Sequence, residues 1–169
     1  SGKVLLDFGT DTKDYAYSIV PQSNGGILVA GSTNVPVAGS PFPTNNYGIL
    51  RLNNEGALDT SFGTGGKFLL DMGGNQDDTA FSVFTQSDGK ILIAGKASVP
   101  PGSYWDNFGV LRLNANGTLD TTFGANRDGK VIIDIGAGSF DIAASVLPQS
   151  DGKILIAGVT TLQVNGSTG

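Results

Sequence analysis

The chain contains no cysteine and no histidine. Without cysteine there is no disulfide, no thiolate metal site and no thiol nucleophile. Without histidine the commonest general base and the commonest transition-metal ligand are missing, and nucleophilic triads of the usual kinds are excluded. Charge is also scarce, at 15% of residues against roughly 25% in an average soluble protein. Ten basic residues stand against fifteen acidic ones, for a net charge of -5, and no basic run occurs. That balance disfavours nucleic acid and anionic membrane surfaces as partners. No apolar run approaches the roughly 18–20 residues that a membrane helix needs. The chain opens on a strand-like segment, so no signal peptide is expected there. Long stretches of helical period are absent too.

What the chain has in abundance is glycine and repetition. Glycine supplies 26 of 169 residues, about twice the usual share of roughly 7%. The decapeptide QSDGKILIAG occurs at Gln86–Gly95 and again at Gln149–Gly158, with the near copy QSNGGILVAG at Gln22–Gly31. GKVLLDFG (Gly2–Gly9) returns as GKFLLDMG (Gly66–Gly73) and GKVIIDIG (Gly129–Gly136), at spacings of 64 and 63 residues. YGILRLNNEGALDTSFG (Tyr47–Gly63) returns as FGVLRLNANGTLDTTFG (Phe108–Gly124). Length changes between copies fall outside these blocks, as a repeat architecture requires.

Each unit offers four strand candidates: AYSIV and its relatives, the ILIAG segment, GILRLN, and KVLLDFG. Asp-Gly or Asn-Gly between the first two predicts a two-residue hairpin of type I′. Ile91–Ala94 is apolar at every position, the pattern of a strand covered on both faces. The first strand alternates instead, with small Ala80 and Ser82 on one face and bulkier Phe81 and Val83 on the other. Small residues on one side suit a strand crowded near an axis. Antiparallel four-stranded units repeating about every 63 residues, each buried on both faces, describe the blades of a β-propeller. The fold class is therefore all-β, a partial β-propeller forming one segment over 1–169. Residues 1–9 read as the last strand of a preceding blade (Lys3–Phe8), 10–73 and 74–136 as whole blades, and 137–169 as an incomplete one. Exposed edges and blade faces predict that the rest of a larger propeller, or other copies, completes the ring.

The combination QSDGKILIAG, FGVLRLNANGTLDTTFG and GKVIIDIG resembles the bacterial delta-60 repeat, and the resemblance covers nearly the whole chain. It implies a place in large secreted or cell-surface bacterial proteins, some of them cargo of the type IX secretion route. The family has no common catalytic residues to transfer, so the resemblance implies a scaffold rather than an activity.

Acidic residues recur in register: Asp7, Asp71 and Asp134; Asp14, Asp78 and Asp141; Asp59 and Asp120. One reading is structural, with Asp59 and Asp120 accepting backbone N–H bonds in Asx turns and Phe62 and Phe123 wedged between blades. The other gathers Asp14, Asp78 and Asp141 at one mouth of the channel as a Ca²⁺ site, although no D-x-[DN]-x-[DN]-G loop is present. A glycosidase would need two acids at a set separation, and nothing distinguishes such a pair here, so no enzymatic activity is expected. The loops that do not repeat, Ser32–Asn46 and Lys96–Asn107, are the better candidates for binding. Tyr104, Trp105, Asp106 and Asn107 form the candidate binding cluster, where aromatic rings beside polar groups suit a sugar ring or a protein partner; the alternative is that Trp105 folds back to seal the blade. The function expected is a non-catalytic extracellular interaction or adhesion module. The alternatives are a spacer or secreted cargo without a specific ligand, and a Ca²⁺-dependent carbohydrate-binding or hydrolytic propeller.

Overall fold

The computed structural model describes residues 2–9, 11–99, 105–136 and 138–161. Among the described residues, ten strands form three antiparallel sheets. The first blade contains β1 (Asp14–Pro21), β2 (Ile27–Val35), β3 (Thr44–Leu52) and β4 (Lys67–Leu70). The second contains β5 (Thr79–Thr85), β6 (Ile91–Ala97), β7 (Asn107–Leu113) and β8 (Lys130–Ile133). The third sheet pairs β9 (Phe140–Pro148) with β10 (Ile154–Thr161). Both four-stranded sheets run in chain order, and β1, β5 and β9 pack side by side as the inner strands. The chain is an all-β partial propeller.

The repeated decapeptide makes the first hairpin of each blade, with a different turn from the one its Asp-Gly suggests. In the second blade only Gly89 of this turn takes a positive φ, 83°. Its N–H donates to the Gln86 carbonyl (3.0 Å), and the Gln86 N–H donates to the Lys90 carbonyl (2.7 Å). That is a type I turn closed by a glycine bulge, and not the two-residue type I′ turn. Asp88 accepts the Lys90 N–H at 3.0 Å, which explains the aspartate. Asp151 and Asn24 do the same in the other two copies.

Two further expectations change. Lys3–Phe8 forms no strand, because a fourth strand needs a third to pair with and no described strand stands beside it. The segment is held instead by side-chain contacts, with Val4 against Gly56, the Phe8 ring against Gly48 and the Lys67 ammonium donating to the Asp7 carbonyl. The simple alternation of the first strand is broken by a β-bulge between Ala16 and Ser18, Ala80 and Ser82, and at the matching place in β9 and β10. The extra residue puts Ala80 and Val83 on the same face, both buried in one core. At each bulge the neighbouring backbone comes so close that a Cβ on Gly31, Gly95 or Gly158 would collide with the carbonyl oxygen of Tyr15, Thr79 or Ile142. The glycine ending each ILIAG segment is there for that contact.

β6 divides its side chains between two cores. Ile91 and Ile93 pack against the first blade with Leu28, Tyr47 and Ile49. Leu92 and Ala94 pack against the third sheet with Ala143 and Val146. The identical sequence in β10 fares differently, since Leu92 is fully buried while Leu155 is 54% exposed. The inner strands show the same effect: Val83 and Val146 are 6% and 1% exposed, but the matching Ile19 is 67% exposed. A blade's own sequence does not bury it; its neighbours do.

Candidate functional site

The recurring polar residues must first be separated from the ones that do not recur. Asp14, Asp78 and Asp141 each close the junction to the preceding segment. Their carboxylates accept the backbone N–H of Phe8 (2.9 Å), Met72 (2.7 Å) and Ile135 (2.8 Å). Asp7, Asp71 and Asp134, seven residues earlier, accept the N–H of Gly9, Gly73 and Gly136. Asp78 also takes the Ser98 N–H at 3.0 Å, and Asp141 the Ser139 hydroxyl at 2.9 Å. The structure thus distributes Asp14, Asp78 and Asp141 over three separate junctions and does not gather them at a channel mouth. Among the described residues, no three acidic side chains are grouped to share a cation. One oxygen of each of these carboxylates is taken by a backbone N–H of its own junction.

These clasps differ electrostatically. Burial pushes the Asp78 carboxyl up to about 7, with the nearby Asp71 adding to it, against the pull of the Met72 and Ser98 N–H groups. Burial also acts on Asp141, but the Thr160 hydroxyl, the Ile135 N–H and the Ser139 hydroxyl outweigh it and hold its carboxyl below the usual range. A raised carboxyl pKa in the folded state means that folding favours the protonated form. The contribution of Asp78 is therefore full below about pH 4 and is lost as pH rises to about 7. Asp141 has the opposite sign, so its stabilisation is present above about pH 4 and is lost as pH falls below that. Thermal unfolding followed between pH 4 and pH 7 is expected to show a melting temperature that declines with rising pH. Asp78→Asn is expected to flatten that decline; an unchanged slope would assign it to another group.

A second repeated device locks the outer parts of the blades. The Arg51 Nε donates to Asp59 at 2.8 Å, its Nη1 reaches the Ala115 carbonyl of the next blade at 2.6 Å, and its guanidinium lies 4.9 Å from the Phe62 ring centroid. Asp59 accepts the Ser61 N–H and Asp120 the Thr122 N–H, each at 3.0 Å, as Asx turns require. Phe62 is fully buried against the Ala115–Gly117 turn. Arg112, Asp120 and Phe123 repeat the arrangement in the second blade, with Lys90 as a further partner of Asp120 at 2.8 Å. Between inner strands, the Ser18 and Ser82 hydroxyls accept the N–H of Val83 and Val146, both at 3.2 Å. The fixed interval of seven residues between paired aspartates, and the recurring Ala-x-Ser, were signals for these links in the sequence.

The residues that vary collect on one face. The Asp78 N–H donates to the Asn45 carbonyl (2.7 Å) and the Asp141 N–H to the Asp106 carbonyl (2.8 Å), so loops joining β2 to β3 and β6 to β7 sit beside those entering the next blade. Within the candidate cluster, Trp105 meets Phe140 edge-on at 4.9 Å and lies over Gly138. Asp106 is paired with Lys96 at 3.2 Å, and its carboxylate is in contact with the Ser98 hydroxyl. The Asn107 amide donates to the Val99 carbonyl at 2.9 Å. Tyr104 lies outside the described residues. Trp105, Asp106 and Asn107 are brought together, but their groups are engaged: the Trp105 ring and the Asp106 carbonyl hold the loop to the third sheet, while the Asp106 carboxylate and the Asn107 amide bond Lys96, Ser98 and Val99 of the same blade.

The loop over residues 36–43 is different. Three prolines stiffen it, the Ser40 N–H closes a turn on the Val37 carbonyl at 3.1 Å, and the Ser40 hydroxyl donates to the Phe42 carbonyl at 2.9 Å. Phe42 is held outward, 75% exposed. Beside it runs a cleft of about 360 Å³ lined by Asp11, Thr12, Asn34, Ser40 and the three prolines Pro36, Pro41 and Pro43. Tyr15, Tyr17 and Phe81 add an aromatic row along the inner strands, with centroids 6.3 and 5.1 Å apart. Tyr17 and Phe81 occupy the bulge position, which is Ala144 in the third sheet. A bulge of this kind is invisible in a single repeat.

The sequence pattern of a family described as a domain of unknown function (DUF5122) beta-propeller matches residues 22–62, 86–123 and 149–169, more than half of the chain. Each match begins at the glutamine of the repeated decapeptide. No curated protein matches the chain.

Proposed function

The chain belongs to the DUF5122 beta-propeller family, and we propose from that premise that it is a non-catalytic interaction module of the delta-60 kind. Its repeated residues form the scaffold, and its non-repeated loops bind a protein or glycan partner. The observation that carries this reading is the division of labour between the two sets. The recurring Asp, Arg, Ser and Phe residues are engaged in blade junctions, whereas the 36–43 loop presents an exposed aromatic on a pre-stiffened turn next to a cleft. A large ring held outward by a rigid loop loses little entropy on binding, which is the condition for an energetic anchor. The cleft is also of the size that takes part of a ligand. The resemblance to repeats of large secreted bacterial proteins supports a place outside the cell or on its surface.

Phe42 replaces Trp105 as the centre of the proposed binding surface, because the Trp105 ring already packs on Phe140. The same packing favours the second reading, a spacer with no specific ligand, for the Lys96–Asn107 loop alone. The test is a screen of the intact protein against glycans and against surface proteins, repeated with Phe42→Ala and Trp105→Ala. Phe42→Ala is expected to weaken binding at least tenfold, in the range of an interface hot spot, with no change in melting temperature. Binding that survives Phe42→Ala would move the site elsewhere, and no binding to either class would favour the spacer.

A further inference from the structure

Not every repeated residue is spent on the scaffold. Each copy of the decapeptide opens on Gln-Ser, at Gln22-Ser23, Gln86-Ser87 and Gln149-Ser150. The turn itself uses the rest of the motif. Asp88 accepts the Lys90 N–H, Gly89 supplies the positive φ, and Gln86 contributes its backbone N–H and carbonyl. Among the described residues, the side chains of Gln86, Ser87, Gln149 and Ser150 make no hydrogen bond. The Gln86 Oε1 is nevertheless buried, an acceptor removed from water with no donor to answer it. Buried polar atoms are nearly always paired, so this one calls for an explanation.

The two blade junctions differ at this point. At the first, Gln22 Oε1 is also without a donor, but Gln22 Nε2 crosses to the next blade and donates to the Thr85 hydroxyl at 3.5 Å. The residue matching Thr85 in the third sheet is Pro148, which has no hydroxyl. The Gln86 amide therefore has nothing to reach across the second junction. A cleft of about 580 Å³ lies there, with Gln86 and Ser87 on one wall, Gln149 and Ser150 on the other, and Phe84 and Pro148 as its apolar part. It sits at the ends of the inner strands β5 and β9, on the face opposite the loops that join β2 to β3 and β6 to β7. Of the lining side chains Asp88 alone is ionised, and its Oδ1 is taken by the Lys90 N–H.

We propose that the cleft between the 86–89 and 149–152 turns is a binding site for an uncharged sugar unit of an oligosaccharide. The groups left unspent are two amides and two hydroxyls, and each of these both donates and accepts. Sugar hydroxyls have the same double character, so a pyranose can satisfy both walls at once. The Phe84 and Pro148 rings offer apolar surface to its C–H face. The Asp88 carboxylate, with no cation among the lining side chains, repels phosphate, sulfate and uronate groups. The volume lies within the range of small-molecule sites. Such a site gives the repeated Gln-Ser pair a purpose that the fold does not, and it is independent of the Phe42 face.

The test titrates the intact, nitrogen-15-labelled protein with cellotriose, maltotriose and chitotriose in turn, and follows the side-chain amide signals of Gln86 and Gln149 by NMR. At least one sugar is expected to shift both signals in a saturable way. Gln86→Ala is expected to weaken that sugar about tenfold, the cost of one well-placed hydrogen bond, with no change in melting temperature, because the side chain makes no bond within the protein. Pro148→Thr, which restores the hydroxyl found at the first junction, is expected to weaken it as well by engaging the Gln86 amide. No shift with any of the three sugars at tens of millimolar would overturn the proposal. So would a sugar bound equally well by the native chain, Gln86→Ala and Pro148→Thr. Phe42→Ala reads the opposite face and is expected to leave this binding unchanged, so either idea can fail alone.

Discussion

Leu92→Ala is expected to lower the unfolding free energy by about 2–5 kcal/mol, the range for truncating a leucine in a packed core. Leu155→Ala, the same residue in the same ten-residue sequence, is expected to cost well under 1 kcal/mol, as surface changes usually do. The two sites share their local sequence, hairpin and strand position. They differ in that Leu92 is sealed between the second blade and the third sheet while Leu155 is 54% exposed. Urea unfolding monitored by Trp105 fluorescence suits this comparison, since that indole packs across the same junction against Phe140. Equal losses at the two sites would mean that burial by neighbouring blades does not set stability.

The second large effect falls at the outer lock. Phe62→Ala is expected to cost about 3–5 kcal/mol, in the range for a buried aromatic. Its ring is fully buried against the next blade, and the Arg51 guanidinium lies over it. Removing the ring also strips packing from an arginine that bridges two blades, which adds to the cavity term. Phe123→Ala, in the same position of the second blade, is expected to cost less than half as much, because its outer side has no turn to cover it among the described residues. Equilibrium unfolding of the two variants followed by circular dichroism gives the ratio. Phe123→Ala costing as much as Phe62→Ala would contradict the inter-blade account of both residues.

These pairs also show what could be read from the chain before its structure was known. The three copies of QSDGKILIAG, the GILRLN blocks and the GKVLLDFG blocks marked the strands, because repetition at a fixed interval leaves few architectures open. The unbroken apolar run Ile91–Ala94 announced burial on both faces, and that burial holds in the second blade. Three features escaped for identifiable reasons. Asp88-Gly89 is compatible with more than one hairpin turn, and only backbone angles separate them. The bulge in the first strand leaves no mark on local alternation, yet it places Tyr17 and Phe81 in an aromatic row. Phe42 lay inside a loop marked as a binding candidate, but its exposure depends on how three prolines and Ser40 fold around it. Trp105 was legible either as a binding ring or as a seal folded back on the blade, and its packing on Phe140, which is distant in sequence, is the contact a seal would make.

The recurring aspartates carry the same lesson. A carboxylate repeated in every unit suggests either a shared metal or a shared structural bond, and the two are hard to separate by residue type. Spacing separates them. Each of Asp14, Asp78 and Asp141 stands seven residues after an aspartate that caps the end of a GKVLLDFG block, and each binds a backbone N–H within that block. A junction of this kind needs the carboxylate near the backbone of its own preceding loop, which keeps the three aspartates apart.

The central claim is that one repeated sequence acquires its structure from the blades on either side of it. Hydrogen exchange of the intact protein tests this most directly, because Ile91–Gly95 and Ile154–Gly158 have the same sequence and hence the same intrinsic exchange rates. The expected result is strong protection throughout Ile91–Gly95, with the outward-facing amides of Ile154–Gly158 exchanging at least a hundredfold faster. Equal protection of the two segments would contradict the claim.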